Sequence, residues 1–268
     1  MLLQNKNAVI YGAGGSIGSA VARVFAKEGA RVFLTGRNLA SVQKTANEIL
    51  DAGGKVEVEV VDALDEKAVN NHIDTIVGKA GAVDISFNAI GLEDTQNIPL
   101  TEMSLADFLR PVTIAMNTQF ITSTAAGRVM MKQGSGVILS ITATPGGIGY
   151  PLVGGFGPAC CAIEGFSRDL AAELGPYGIR VVNIRSAGSP DSRPFVDAIA
   201  HDSEEANSFI KKLEDDTMLK KLPLMADIAD TAVFLASGMA GKITGVTIDV
   251  TCGTTSGLNY KIPAIPFG

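Results

Sequence analysis

Cysteine is scarce. Three residues in 268, two of them the neighbours Cys160 and Cys161, do not make a disulfide framework. They read as small apolar fillers of a chain kept in a reducing compartment. Basic charge is also in short supply: Lys and Arg number 22 against 28 Asp and Glu, a net charge of −6. No basic run offers the counterion release that drives binding to nucleic acid, nor the attraction to an anionic membrane surface. The chain has no apolar stretch of about 18 residues to span a bilayer, and Met1–Asn7 has no apolar segment of a secretory signal. A Pro-, Gly- or Ser-rich linker is missing, as is any short repeat. One soluble, cytoplasmic domain over residues 1–268 is therefore expected, with no metal, no nucleic acid and no membrane as partner.

What is present is apolar material in a regular rhythm, 46% of the chain against 19% charged. Short β-branched runs read as buried strands and alternate with apolar residues at helical spacing. Ala8–Tyr11, Arg31–Thr35, Val56–Val61, Val83–Phe87, Gly136–Ile141, Ile179–Ile184 and Val246–Val250 are the strands. Helices fall between them, at Leu39–Leu50, Asp65–Val77, Ser104–Lys132, Phe156–Leu174 and Ala226–Leu235, with Ile17, Ala20, Val21, Val24 and Phe25 marking the first. Strict alternation demands right-handed parallel crossovers and helices on both faces. The fold class is α/β, a single Rossmann-type doubly wound sheet. Residues 188–222 break the rhythm with Pro190, Pro194, Pro223 just beyond, and a charge-dense stretch from His201 to Asp216. Such an insertion after a late strand reads as a substrate lid or as a solvated surface helix.

The first strand runs into Gly12-Ala13-Gly14-Gly15-Ser16-Ile17-Gly18 and then a helix. Glycines there admit positive φ and close backbone approach, so that amides and the helix N-terminus hold a diphosphate. The position between strand one and helix one makes this signal strong. The second strand ends at Arg37, where a dinucleotide fold reads the adenosine ribose. A guanidinium suits a 2′-phosphate, where an acid would bond the 2′-hydroxyl, which favours NADP(H) over NAD(H). Asp62, ending strand three, reads as an acceptor for the adenine amino group or as a helix N-cap.

These residues resemble the short-chain dehydrogenase/reductase family over nearly the whole chain. Gly12 and Gly18 match its TGxxxGxG turn, with Tyr11 in place of the Thr and Ser16 in place of the middle Gly. Asp62 matches its adenine-binding Asp, Asn88 and Gly91 the ends of its Asn-Asn-Ala-Gly, and Asn117 its water-holding helix Asn. Ile243-Thr244-Gly245 fits before the last strand. Gly188 resembles the Gly of its Pro-Gly turn, and Ser192 falls where a Thr or Ser contacts the nicotinamide carboxamide. The resemblance implies about seven strands, hydride transfer between nicotinamide and an alcohol or ketone, and a homodimer or homotetramer packed through the helices at about 104–132 and 156–174.

The family's Ser, Tyr and Lys are absent. Phe156 stands in the Tyr position, Cys160 in the Lys position and Ala143 in the Ser position. Hydride addition to a ketone builds charge on oxygen that a proton or hydrogen bonds must meet, and none of these three supplies one. Thr142 and Tyr150 are the candidate substitutes. Ile141-Thr142-Ala143-Thr144 is similar to the strand end of 2,4-dienoyl-CoA reductases, family members without the usual Tyr that keep the Lys this chain has lost. A thiol nucleophile at Cys160 or Cys161 finds no activating base placed by sequence, since His72 and His201 lie elsewhere. Asp191 and Glu164 serve as acids only if buried. Two functions fit: an NADP(H)-linked oxidoreductase of atypical mechanism acting on an activated C=C or C=O of unknown identity, or a catalytically silent nucleotide-binding subunit of an assembly. A lyase or cyclase is a third route.

Overall fold

A computed structural model describes residues 1–256. Seven parallel strands form one sheet: β1 (Asn7–Tyr11), β2 (Arg31–Gly36), β3 (Lys55–Val60), β4 (Ile85–Asn88), β5 (Gly136–Ala143), β6 (Ile179–Ser186) and β7 (Val246–Val250). Eight α-helices connect and cover them: α1 (Ser16–Lys27), α2 (Leu39–Asp51), α3 (Glu66–Ala80), α4 (Leu105–Gln133), α5 (Phe156–Leu174), α6 (Arg193–His201), α7 (Ser203–Asp215) and α8 (Met225–Ala236). The strand order β3-β2-β1-β4-β5-β6-β7 reverses between β1 and β4. The ends of those two strands diverge toward opposite halves of the sheet, and the crevice this opens is where an open α/β sheet binds ligands.

Alternation of side chains along each strand builds two cores. Ile10, Leu34, Phe87 and Leu139 join Val21 and Phe25 of α1 and Ile228 and Ala232 of α8 on one face. Val9, Tyr11, Phe33 and Ile138 meet Ile73 of α3, Ala126 of α4 and Leu170 of α5 on the other. The N-termini of α2, α3 and α4 are capped by the side chains of Asn38, Asp65 and Ser104. The start of α1 is different. Its N-cap is Gly15, which has no side chain to offer its amides.

Departures from the sequence expectation have local causes. β5 and β6 each run two residues further than the apolar runs suggest, because Thr142 pairs with Arg185 and Ala143 with Ser186. β4 starts later than Val83 because the Val83 amide is taken by the Gln133 side chain at 3.0 Å. Residues 188–222 contain the two short helices α6 and α7, which stack Phe195 on Phe209. No helix among the described residues is long and apolar enough to cross a membrane.

Phe87 lies on the central strand with no exposed surface. Its truncation to Ala is expected to cost about 3–5 kcal/mol. Urea denaturation should show a lower midpoint at unchanged slope; a loss under about 1 kcal/mol would contradict this packing.

Candidate functional site

The site begins with two backbone contacts. Gly12 has φ +76°, and a β-carbon there would stand 2.6 Å from the carbonyl oxygen of Ala89 on the neighbouring β4 loop. A β-carbon on Gly18 would strike the carbonyl oxygen of Gly12 itself. Only glycine lets α1 pack this tightly under the turn. The turn is closed by Gly15 N–H donating to Gly12 O at 3.0 Å and Ala13 N–H to Thr35 O at 3.0 Å. The free amides at the start of α1 therefore face the crevice, an electropositive cup for an anion.

Two cavities meet over this cup. The first, about 360 Å³, is lined by Gly12 and Gly14 of the turn, Arg37, Asp62, Glu93 and, from α4, Ile114 and Thr118. The second, about 410 Å³, is lined by Ser16, Ile17, Thr142, Phe156, Gly188 and Ser192 among others. Gly15, Ala89, Ile90 and Gly91 border both. At the outer edge of the first, Arg37 Nη2 donates to Glu93 Oε1 at 2.6 Å. That bond and the charge of Glu93 hold the guanidinium pKa above its ordinary value, but both side chains are half exposed or more. A pair so placed is worth about 0–1 kcal/mol. Asp62 accepts from the Leu64 amide at 3.0 Å, and Asp65 is the cap of α3, which removes the N-cap reading of Asp62.

The inner end of the second cavity gathers Ala143, Phe156 and Cys160. No Lys, Arg or His lines it among the described residues. Burial pushes the Cys160 thiol up to about 11, so it is neutral and unreactive near pH 7. Thr142 also lines the cavity, but its hydroxyl is committed: it donates to Glu164 Oε1 at 2.9 Å and accepts from Asn183 Nδ2 at 2.7 Å. Glu164 is buried and takes two bonds from the Arg185 guanidinium, at 3.0 and 2.6 Å. Arg185 continues to Asp249 at 3.0 Å, and Asn183 accepts from Ser140 at 2.8 Å. Glu164 is thus neither a free acid nor a solvated surface group. It anchors a polar ladder behind the strand ends.

Several expected site residues lie elsewhere. Asn117 is exposed, because the face of α4 toward the cavities carries Ile114, Thr118 and Gln119, and residue 117 is turned away from it. Tyr150 is 38% exposed and lines a separate groove with Leu100 and Leu152. The loop after β5 carries it away from Phe156, and burial with the charge of Asp216 raises its phenol pKa, making it a weaker acid. Asn88 is buried beneath the cavity wall, accepting from the Ile90 amide and donating to Thr122. Gly18 lies buried under the turn. Asp191 accepts from the Met225 amide at the start of α8. Ser16 accepts from the Arg193 amide at 2.9 Å, which ties the turn to α6.

Three lining residues carry no motif. Gln119 comes from the buried face of α4 and Asp94 from the loop after β4. Ser189 is 3% exposed and its hydroxyl has no hydrogen-bond partner among the described residues. For Gln119, helical phase counted from Thr118 was the available signal; the two loop residues had none.

The family model described as Enoyl-(Acyl carrier protein) reductase matches residues 12–255. The chain is similar to an uncharacterised oxidoreductase of Bacillus subtilis, YxbG, at 31% identity over 259 residues, covering 94% of this chain and 91% of that protein. It is similar to Tropinone reductase-like 2 of Erythroxylum coca at 30% over 257 residues, covering 94% and 90%. A short-chain type dehydrogenase/reductase from Mycobacterium ulcerans superposes with TM-score 0.86 at 25% identity, covering 95% of this chain and 91% of that one. Two crystal structures at 24% identity share the fold. One is a gluconate 5-dehydrogenase of Burkholderia cenocepacia in complex with NADP and tartrate, TM-score 0.85, covering 96% and 97%. The other is an NAD+-bound xylitol dehydrogenase, TM-score 0.87, covering 94% and 100%.

Removing Glu164 leaves Arg185 with the more exposed Asp249 and the Thr142 hydroxyl without its acceptor. Glu164→Leu is expected to destabilise the protein by about 1–3 kcal/mol in urea unfolding, and no loss would contradict the ladder. Iodoacetamide should label the exposed Cys161 at pH 7 while sparing buried Cys160, whose labelling should rise only as pH climbs toward about 11. Equal labelling of both at pH 7, followed by peptide mass spectrometry, would contradict the assigned environment.

Proposed function

The chain belongs to the short-chain dehydrogenase/reductase family, and from that premise we propose that it is an NADP(H)-linked oxidoreductase whose hydride step dispenses with the family's Ser-Tyr-Lys group. The observation that carries this reading is the pair of cavities joined over the glycine cup, one for each half of a dinucleotide. The residues present fit such a group. Gly12 and Gly18 keep β-carbons out of the cradle, and the Ser189 hydroxyl, without a partner among the described residues, is free for a carboxamide in the second cavity. Gly14, Gly15 and the α1 amides would hold the diphosphate, Asp62 the adenine, and Ser189 with Ser192 the carboxamide. When bound, a nicotinamide supplies or accepts hydride.

Arg37 favours the 2′-phosphate. Its exposed pairing with Glu93 is weak enough for a doubly charged phosphate to displace. Of the two structures that share the fold, one holds NADP and the other NAD+, so this preference rests on Arg37 alone.

With Ala143, Phe156 and Cys160 around the reacting end, the enzyme offers no acid of its own there. The substrate is therefore an activated double bond whose reduction needs no proton from the protein in the hydride step. Residues 188–222 act as the lid: Ser192, Pro194 and Phe195 border the second cavity, and Arg193 reaches Gly14 O at 3.2 Å. Assembly as a dimer or tetramer through α4 and α5 is supported by the exposed Leu105, Leu109 and Phe120, the last beside Phe166 of α5.

Fluorescence titration tests the reading. NADPH is expected to bind, and Arg37→Ala should weaken it tenfold or more, about 1.4 kcal/mol, with NADH little changed. Equal loss for both would remove Arg37 as the phosphate ligand. Failure to bind either nucleotide would overturn the oxidoreductase.

A further inference from the structure

We propose that the second cavity takes a protonated imine, recognised by the carboxylate of Asp94, and that this is the double bond reduced there; the inference rests on the nucleotide reading above and specifies its substrate.

The argument starts from charge. An alkoxide or enolate formed next to the nicotinamide needs a cation, an acid or an array of donors to stabilise it. Among the described residues the cavity has no cation. The Thr142 hydroxyl is already bonded to Glu164. Gln119 and Ser189 can donate hydrogen bonds but do not surrender protons at neutral pH. The carboxylate that does line the cavity is Asp94, half-buried on the loop that follows β4. Its Oδ2 accepts from Gln96 Nε2 at 2.6 Å, and among the described residues no Lys or Arg pairs with it. The rest of the wall is mainly apolar, including Ile141, Phe156 and Ile163, with Ser16, Ser186 and Ser192 as its further hydroxyls. In such surroundings an anion repels growing negative charge and attracts positive charge more strongly than it would in water. The Asp94 charge is felt at Cys160, at the inner end of the cavity, where it adds to what raises the thiol.

An iminium satisfies all of these conditions. The neighbouring carboxylate favours its protonated form. The imine carbon accepts a hydride with its electron pair from the reduced nicotinamide, the C=N π pair moves onto nitrogen as a lone pair, and the nicotinamide is oxidised. The product is a neutral amine that already carries its N–H, so no proton leaves the protein. A ketone or enone in the same place would have to carry its negative charge against Asp94.

The probes are a cyclic N-alkyl iminium (a dihydroisoquinolinium salt), which cannot lose its charge, and the tetralone of matching shape. Calorimetry on the full chain without nucleotide is expected to show the iminium binding at least tenfold more tightly than the ketone. Asp94→Asn should abolish that preference while leaving ketone and NADPH affinity unchanged, and Asp94→Glu should restore part of it. With NADPH, turnover should follow the iminium and not the ketone. Equal binding of the two probes, or equal loss of both in Asp94→Asn at unchanged melting temperature, overturns the inference. NADPH binding measured in the same samples separates the outcomes: if it persists, the nucleotide reading stands without the imine, and if it is absent both fall. Should Asp94→Asn not fold, the comparison of the two probes on the unaltered protein decides alone.

Discussion

The contact between Gly18 and the carbonyl of Gly12 governs this molecule. It leaves no space for one carbon atom between the first turn of α1 and the loop that precedes it. Because they touch, the uncapped amides of α1 emerge at the carboxyl edge of β1, where the strand order reverses. Gly12 repeats the arrangement against Ala89, drawing the β4 loop to the same point. Both cavities take their common wall from these approaches. A larger residue at either glycine would separate helix, turn and loop and erase the junction.

From that junction the two halves of the crevice diverge in character. The outer half is polar and charged, with Arg37, Asp62 and Glu93 at its rim. The inner half is walled by Phe156, Cys160 and Ala143, which supply surface and no charge. The polar residues nearest to it are turned inward. Thr142, Glu164, Arg185 and Asn183 bond one another behind β5 and β6, which satisfies each of them and holds the two strand ends together. A network of this kind gives the cavity a fixed wall without giving it an acid. The loops add Asp94 and Ser189 to this wall.

How much of this could be read from the residues alone follows from how far each signal is local. Strands and helices are written in apolar period, so β7 and α5 begin and end where the pattern does. The glycine turn and Arg37 sit at ends of such elements, and the element carries them to their place. Asn117 marks the limit of such local signals. A match to a family motif fixed its position in α4, while the helix phase, legible from Ala115 and Thr118, points it into solvent. Tyr150 depends on the path of an irregular loop, which no periodicity describes. Glu164 reads as a surface residue until its partner is known; Arg185 pointing into the covered face of β6 is what buries it. Asp94 and Ser189 lie in loops, and only the assembled crevice brings them together.

The most direct measurement is a crystal structure of the protein soaked with NADP+. The account predicts diphosphate density against the amides that open α1, adenine between Asp62 and Ile90, and a nicotinamide ring beside Phe156 with its carboxamide on Ser189. A nucleotide seated anywhere else, or a Tyr or Lys side chain standing over the hydride-accepting face, would contradict it.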